Sequence, residues 1–224
     1  MQPLQITAHL IGAFSSHHPI ALDSLIADRW AKAHDYPPAA LEERIPPHAE
    51  MPLLLHPLGM HHASEAHLII QGHETIHWAR KSWDVRMLAL FGKSARVKAD
   101  GRYKAYYMPL RRTIPAGMLL TWWCVGDAAE IAWLLSTVAY LGHKRSSGHG
   151  RVGTWSVEPW PEDWSLLRPG DDGALIPTRP LPPELAPAGW MSLRTCRRTY
   201  PYYRQDGAEL LAVPPAPEIL AEEW

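Results

Sequence analysis

Cysteine is scarce in this chain. Only Cys124 and Cys196 occur in 224 residues, and Cys124 sits inside an apolar run. Two such residues exclude a disulfide framework as the source of stability. A charged leader is also missing: MQPLQITAHL alternates between apolar and polar positions and does not read as a signal peptide. The longest apolar stretch, GMLLTWWCVG, falls well short of the ~20 residues that span a bilayer. No repeat of fixed period is visible. These absences lead us to expect a soluble, cytoplasmic protein without a membrane partner.

What is present describes a packed molecule. Hydrophobic residues make up 46% of the chain, with eleven Trp. Proline is abundant at 22 residues, about twice the usual ~5%, so long irregular connections are expected. The formal charge of −1 hides an asymmetry. Between Arg80 and Arg112 ten Lys/Arg face two Asp, whereas Asp206 to Trp224 carries five acids and no base. A near-neutral chain with one strongly basic segment suggests a directed anion site.

Along the chain, LQITAHL (4–10) has the two-residue period of a half-buried strand. In the next element Leu22, Leu25, Ile26 and Trp30 share one helical face. Residues 35–57 hold six prolines and read as an irregular excursion. AHLII and ETIHW are short β-rich runs, split by Gln71-Gly72. DVRMLALFGKSARVKADGRYKAYYMPL then reads as two long strands joined at Asp100-Gly101, a strong two-residue hairpin signal. Arg96 and Lys98 fall on one face of that hairpin and Arg102 and Lys104 on the other, so its tip projects as a basic, tyrosine-bearing arm. AGMLLTWWCV is a strand apolar on both faces. Asp127 with Glu130 forms a capping box for a helix whose stripe is Ile131, Leu134, Leu135, Val138 and Leu141, with Gly142 as its C-cap. RVGTWSV is again a strand. The order is β-α, irregular, β-β, β-α-β. It predicts an α+β, ferredoxin-like core with an antiparallel sheet over 1–157, a projecting basic hairpin at about 86–110, and an irregular, proline-rich C-terminal extension over 158–224 packed on that core.

The stretch YLGHKRSSGHGRVGTW (140–155) interleaves glycines with His143, Lys144, Arg145, His149 and Arg151. A nucleotide phosphate loop needs a strand before it and a helix after it; here the order is helix, loop, strand, and no Lys-Ser/Thr follows at that spacing. A tight αβ turn accounts for Gly142 and Gly153 but not for the cations between them. Glycines that let backbone approach a ligand, with charge interleaved, suit an extended phosphate backbone. Together with the hairpin and the RTCRRTYPYYR cluster, this is the chemistry of single-stranded nucleic-acid binding: cations for phosphates, tyrosine faces for bases.

Two rival chemistries and two plain structural readings stand beside this one. GHETIHW contains H-E-x-x-H at His73, Glu74 and His77, which on a helix binds zinc for hydrolysis. Gly72, Thr75, Ile76 and Trp78 favour a strand there, and no third ligand stands at a suitable spacing; His61, His62 and His67, the further candidate ligands, read as solvated loop residues. His17 and His18 have the chemistry of a general acid/base for RNA cleavage, although their ordinary reading is as polar loop residues before a proline. A plain connector at 140–155 and a solvated edge ribbon at 93–112 complete the alternatives.

These motifs resemble the repeat-associated RNA-binding superfamily of CRISPR-associated proteins. The residues that carry the likeness are LQITAHLIGAF…IALDSLIA, the basic hairpin, and a helix running into LGHKRSSGHGRVGTW. Within the superfamily the chain looks like the subunit that caps the 5′ handle of the guide RNA in class 1 effector complexes, and ALDSLIA and GHKRSSGHGRVGTW look most like the type IV version. The resemblance implies an RRM-type βαββαβ core. It implies an RNA-gripping loop at Gly142, His143, Lys144, Arg145, Ser146, Ser147, Gly148, His149, Gly150 and Arg151. Lys144, Arg145 and Arg151 would take phosphates, and Ser146 and Ser147 sugar or base edges. It further implies a thumb from Lys93 to Arg112, carrying Lys93, Arg96, Lys98, Arg102, Tyr103, Lys104, Arg111 and Arg112, with Tyr103, Tyr106 and Tyr107 for stacking or subunit contacts. The expected partners are the guide RNA, the backbone and large subunits, target nucleic acid at second hand, and a helicase. No cofactor, metal or catalytic residue is expected. A metal-independent endoribonuclease of the same superfamily, using His17, His18 or His149, is the alternative.

Overall fold

A computed structural model describes residues 1–16, 18–35, 50–80, 106–143, 145, 148–198 and 208–220, with backbone alone at 77–80 and 106–109. Strand β1 (Gln2–Leu10) lies at the centre of the main sheet. Its alternation is literal: Leu4, Ile6 and Ala8 have no exposure, while Gln5 and Thr7 are half-buried on the opposite face. Helix α1 (Leu22–Ala33) follows. Next come β2 (Ile70–Arg80) and β3 (Tyr106–Pro115), then a single 3₁₀ turn at Ala116–Met118 and β4 (Leu119–Gly126). Helix α2 (Ala128–Ser136) leads to β5 (Val152–Pro159).

Strand β1 pairs antiparallel with β4 on one side and β5 on the other, with Ile6 opposite both Trp122 and Val157. The free edge of β4 is covered by residues 61–67, which donate from Ser64 N to Trp123 O (2.9 Å) and from His67 N to Thr121 O (2.7 Å). Counting that broken strand, the order is β5, β1, β4, 61–67, all antiparallel, which is the order of a ferredoxin-like sheet. The expected α+β class is what the chain forms. Both helices pack on one face: Leu22, Ile26 and Trp30 of α1 and Ile131, Leu134 and Leu135 of α2 are buried against Leu4, Ile6 and Trp122. Each such aliphatic side chain contributes about 1.5–3 kcal/mol on burial. Among the described residues no helix is long and apolar enough to cross a membrane.

Three expectations are corrected. Gln71-Gly72 does not split two strands; β2 runs through it, and only a register shift between Ile70 and Gly72 marks the glycine. The turn expected at Asp100-Gly101 lies outside the described residues; Tyr106–Leu110 pair with β2, Arg80 opposite Tyr106 and Ile76 opposite Leu110. Helix α2 starts as expected, with Asp127 Oδ1 accepting from Glu130 N, but it ends at Ser136 and not at Gly142. Hydroxyls end it: Ser136 donates to Trp133 O and Thr137 to Leu134 O, satisfying the last carbonyls. Val138 and Leu141 stay buried because the chain beyond the helix follows the same core. The C-terminal part is not wholly irregular, since it forms two short hairpins, β6 (Leu167–Pro169) with β7 (Leu175–Pro177) and β8 (Leu193–Cys196) with β9 (Glu209–Ala212).

One residue fastens the C-terminal part to the rest. Arg179, 1% exposed, donates to the carbonyls of His61 (2.5 Å), Ala63 (3.0 Å) and Arg198 (2.5 Å), and lies 3.4 Å from the equally buried Asp23. Trp164 packs edge-on against Trp123 of β4, and Trp160 against Trp164. The tip of the basic hairpin lies outside the described residues, with Lys93, Arg96, Lys98, Arg102, Tyr103 and Lys104. So do His17, Lys144, Ser146, Ser147 and 36–49 of the proline-rich excursion.

Candidate nucleic-acid interface

The loop after β1, residues 11–15, holds the candidate interface together. On one side Phe14 exchanges two backbone hydrogen bonds with Thr113 of β3 (3.1 and 2.7 Å). On the other, Gly150 donates to Ala13 O (3.1 Å) and His143 to Ser15 O (2.6 Å), while Ile11 donates to Arg151 O (2.9 Å). The glycine-rich loop is closed by its own ladder: Tyr140 bridges Arg151, and Leu141 N donates to Gly150 O (2.8 Å). Glycine-rich loop, residues 11–15 and the base of the β2–β3 ribbon thus form one hydrogen-bonded strip. The role of residues 11–15 as the joint was not legible in the sequence, because IGAFS carries no charge or period to mark it.

Two glycines in the loop answer to packing within the chain. A Cβ at Gly142 (φ +76°) would run into the carbonyl of Ser15, and one at Gly150 (φ +64°) into the carbonyl of Leu141. Their missing side chains allow the loop to lie on residues 11–15 and on itself. Gly148 faces open space. The described cations point outward: His143, Arg145 and Arg151 are exposed. His149 is the exception at 4% exposure, lodged beneath the loop, where it cannot meet a ligand directly.

At the foot of the ribbon, Arg111 is exposed opposite Thr75. Arg112 lies opposite Glu74, and the two form an ion pair at 2.5 Å. Glu74 is the acid of the H-E-x-x-H match, and its carboxylate here serves Arg112. His73 and His77 sit four residues apart on strand β2, where a rise of ~3.3 Å per residue separates their backbones by about 13 Å, too far for one ion. Among the described residues no group of three or more His, Cys, Asp or Glu is placed to hold a metal.

His61, His62 and His67 are not solvated loop residues, whereas His18 is exposed in the loop before Pro19. His61 is fully buried. The His62 ring nitrogen Nδ1 lies 2.9 Å from Asp163 and 3.2 Å from Ser165. Burial works against the ionised Asp163, yet hydrogen bonds from His62 and Ser165 hold its carboxyl below the usual range. Asp163 and Ser165 share one ring nitrogen, so the trio is a structural clasp and not a proton relay. His67 stacks obliquely near Trp123 (5.6 Å between centroids), and burial lowers its pKa, with Arg168 adding to the effect.

Residues 92–169 match the model of the family described as Csf3, CRISPR type IV associated protein. The matched stretch takes in β3, β4, α2, the glycine-rich loop and β5, a little over a third of the chain. In that stretch the chain is similar to a CRISPR type IV associated protein. No curated protein matches it.

Proposed function

We propose that this chain is a non-catalytic RNA-binding subunit of a class 1, type IV CRISPR ribonucleoprotein, capping the repeat-derived 5′ handle of the guide RNA. The observation that carries the reading is the strip itself: a loop with exposed His143, Arg145 and Arg151 is hydrogen-bonded through residues 11–15 to the foot of a basic ribbon. Two cationic elements fixed at neighbouring positions suit a polyanion that lies across both. The family match over 92–169 supports the same reading, since it spans the glycine-rich loop and strand β3 of the ribbon. In it, Lys144, Arg145 and Arg151 hold phosphates, Ser146 and Ser147 meet sugar or base edges, and the ribbon from Lys93 to Arg112 reaches along the handle toward the backbone subunit.

The test is direct. With three phosphates neutralised at a slope of about 0.7 each for single strands, affinity for repeat RNA should fall about fourfold per doubling of salt. Replacing Lys144 and Arg145 together by Ala should weaken binding and flatten the salt slope by about 1.4 with unfolding unchanged. Unaltered binding would falsify the loop's assigned role. Cleavage of repeat RNA in chelator, leaving a 2′,3′-cyclic phosphate, would replace this reading with that of an endoribonuclease.

A further inference from the structure

A cavity of about 550 Å³ opens beside the strip, and the reading above gives it no task. Its size falls within the 300–1,000 Å³ typical of small-ligand sites. Phe14 and Thr113, the two residues that bridge residues 11–15 to the ribbon, form part of its wall. Trp123 and His67 also line it, with Glu65, Arg194 and Arg168 as the groups able to recognise a polar edge. Pro214–Pro217 complete the lining.

Two features define the occupant. Glu65 and Arg194 lie 3.8 Å apart, presenting a carboxyl and a guanidinium side by side, the donor–acceptor pattern that matches the edge of a base. The neighbouring main-chain edges are already taken: Ile70 N donates to Glu218 O, Leu220 N to Ile70 O, Glu65 N to Thr178 O and Ala66 N to Ile20 O. An extended peptide adding as a strand would find no ladder here. A planar ring needs none.

We infer that this cavity receives one unstacked nucleobase of the bound RNA, set against Trp123 and His67 and read at its edge by Glu65 and Arg194, with Arg168 toward the adjoining phosphate. The inference rests on the RNA-binding reading, because the shared Phe14–Thr113 wall puts the cavity within reach of a strand held by the glycine-rich loop.

The experiment uses the intact protein and single-stranded RNA of about 12 nucleotides carrying the repeat-derived 5′ handle sequence. An abasic ribose is walked through every position, and affinity is read by fluorescence anisotropy at fixed salt. One position should cost about tenfold, the size of a single stacked base. In Arg194→Ala and Glu65→Gln that position should lose most of its penalty, while the penalty from Arg145→Ala persists. Equal affinity for every abasic RNA, with Arg145→Ala still weakening binding, overturns the cavity's role and leaves the RNA-binding reading intact. No RNA binding and no effect of Arg145→Ala overturns both. Loss of affinity for a partner subunit in Arg194→Ala, with the abasic walk flat, assigns the cavity to that protein and overturns the inference.

Discussion

Arg179 binds three carbonyls and Asp23 from a position with 1% exposure, which makes it the most heavily committed charge among the described residues. Arg179→Ala takes the guanidinium from a buried carboxylate and should lower stability by about 3–5 kcal/mol, measured by urea unfolding. Arg179→Lys should recover little, because one ammonium cannot replace a fork reaching several acceptors. A second residue gives the fold a pH dependence. Burial pushes the carboxyl of Glu65 up to about 7, against the pull of Arg194 and Arg179 and with a further push from Asp23. An unfolded chain ionises this group near 4.5. Between pH 4.5 and 7 the unfolded state therefore releases a proton that the folded state keeps, and stability falls as pH rises through that window. The loss should approach about 3 kcal/mol at ~1.4 kcal/mol per pH unit, and Glu65→Gln should flatten it in urea midpoints taken at pH 5 and 7.5.

The elements differ in how far local sequence determines them. The alternation of β1 and the Asp127 cap of α2 were legible because both signals lie within the residues they govern. The end of α2 was not, because Val138 and Leu141 continue the apolar stripe while no longer helical, and the hydroxyls of Ser136 and Thr137 decide the stop. The partner of β3 was hidden for another reason. A hairpin signal at Asp100-Gly101 speaks for a few residues on either side, whereas Tyr106–Pro115 pair with Ile70–Arg80, well outside that reach in the sequence. In the glycine-rich loop, Gly142 and Gly150 are required by contacts within their own chain, which their spacing in the sequence does not show. Gly150→Ala should accordingly cost about 1–3 kcal/mol in thermal unfolding, more than Gly148→Ala, where backbone strain is the whole penalty.

At the scale of the molecule, the exposed cations His143, Arg145 and Arg151 could be found by reading along the chain, because the loop is one continuous segment. The cavity could not, because it collects residues from 14, 16, 18–20, 65–68, 70, 113, 123, 168, 176–178, 194 and 213–218. The same long-range stitching through Arg179, Leu181 and Ala212 should make unfolding one event. Near-ultraviolet dichroism, reporting tryptophan packing, and far-ultraviolet dichroism should give coincident melts. Two separated transitions would mean that the C-terminal hairpins fold apart from the sheet. The central place of β1 also sets a timetable for synthesis. This strand is complete by residue 10, yet its neighbours are residues 119–126 and 152–159. A growing chain on the ribosome therefore carries β1 with both edges bare until most of the protein has been made. Non-local pairing of this kind is slow to form and open to wrong partners in the meantime. Newborn copies should depend on chaperones that shield that strand, or on prompt docking to a partner.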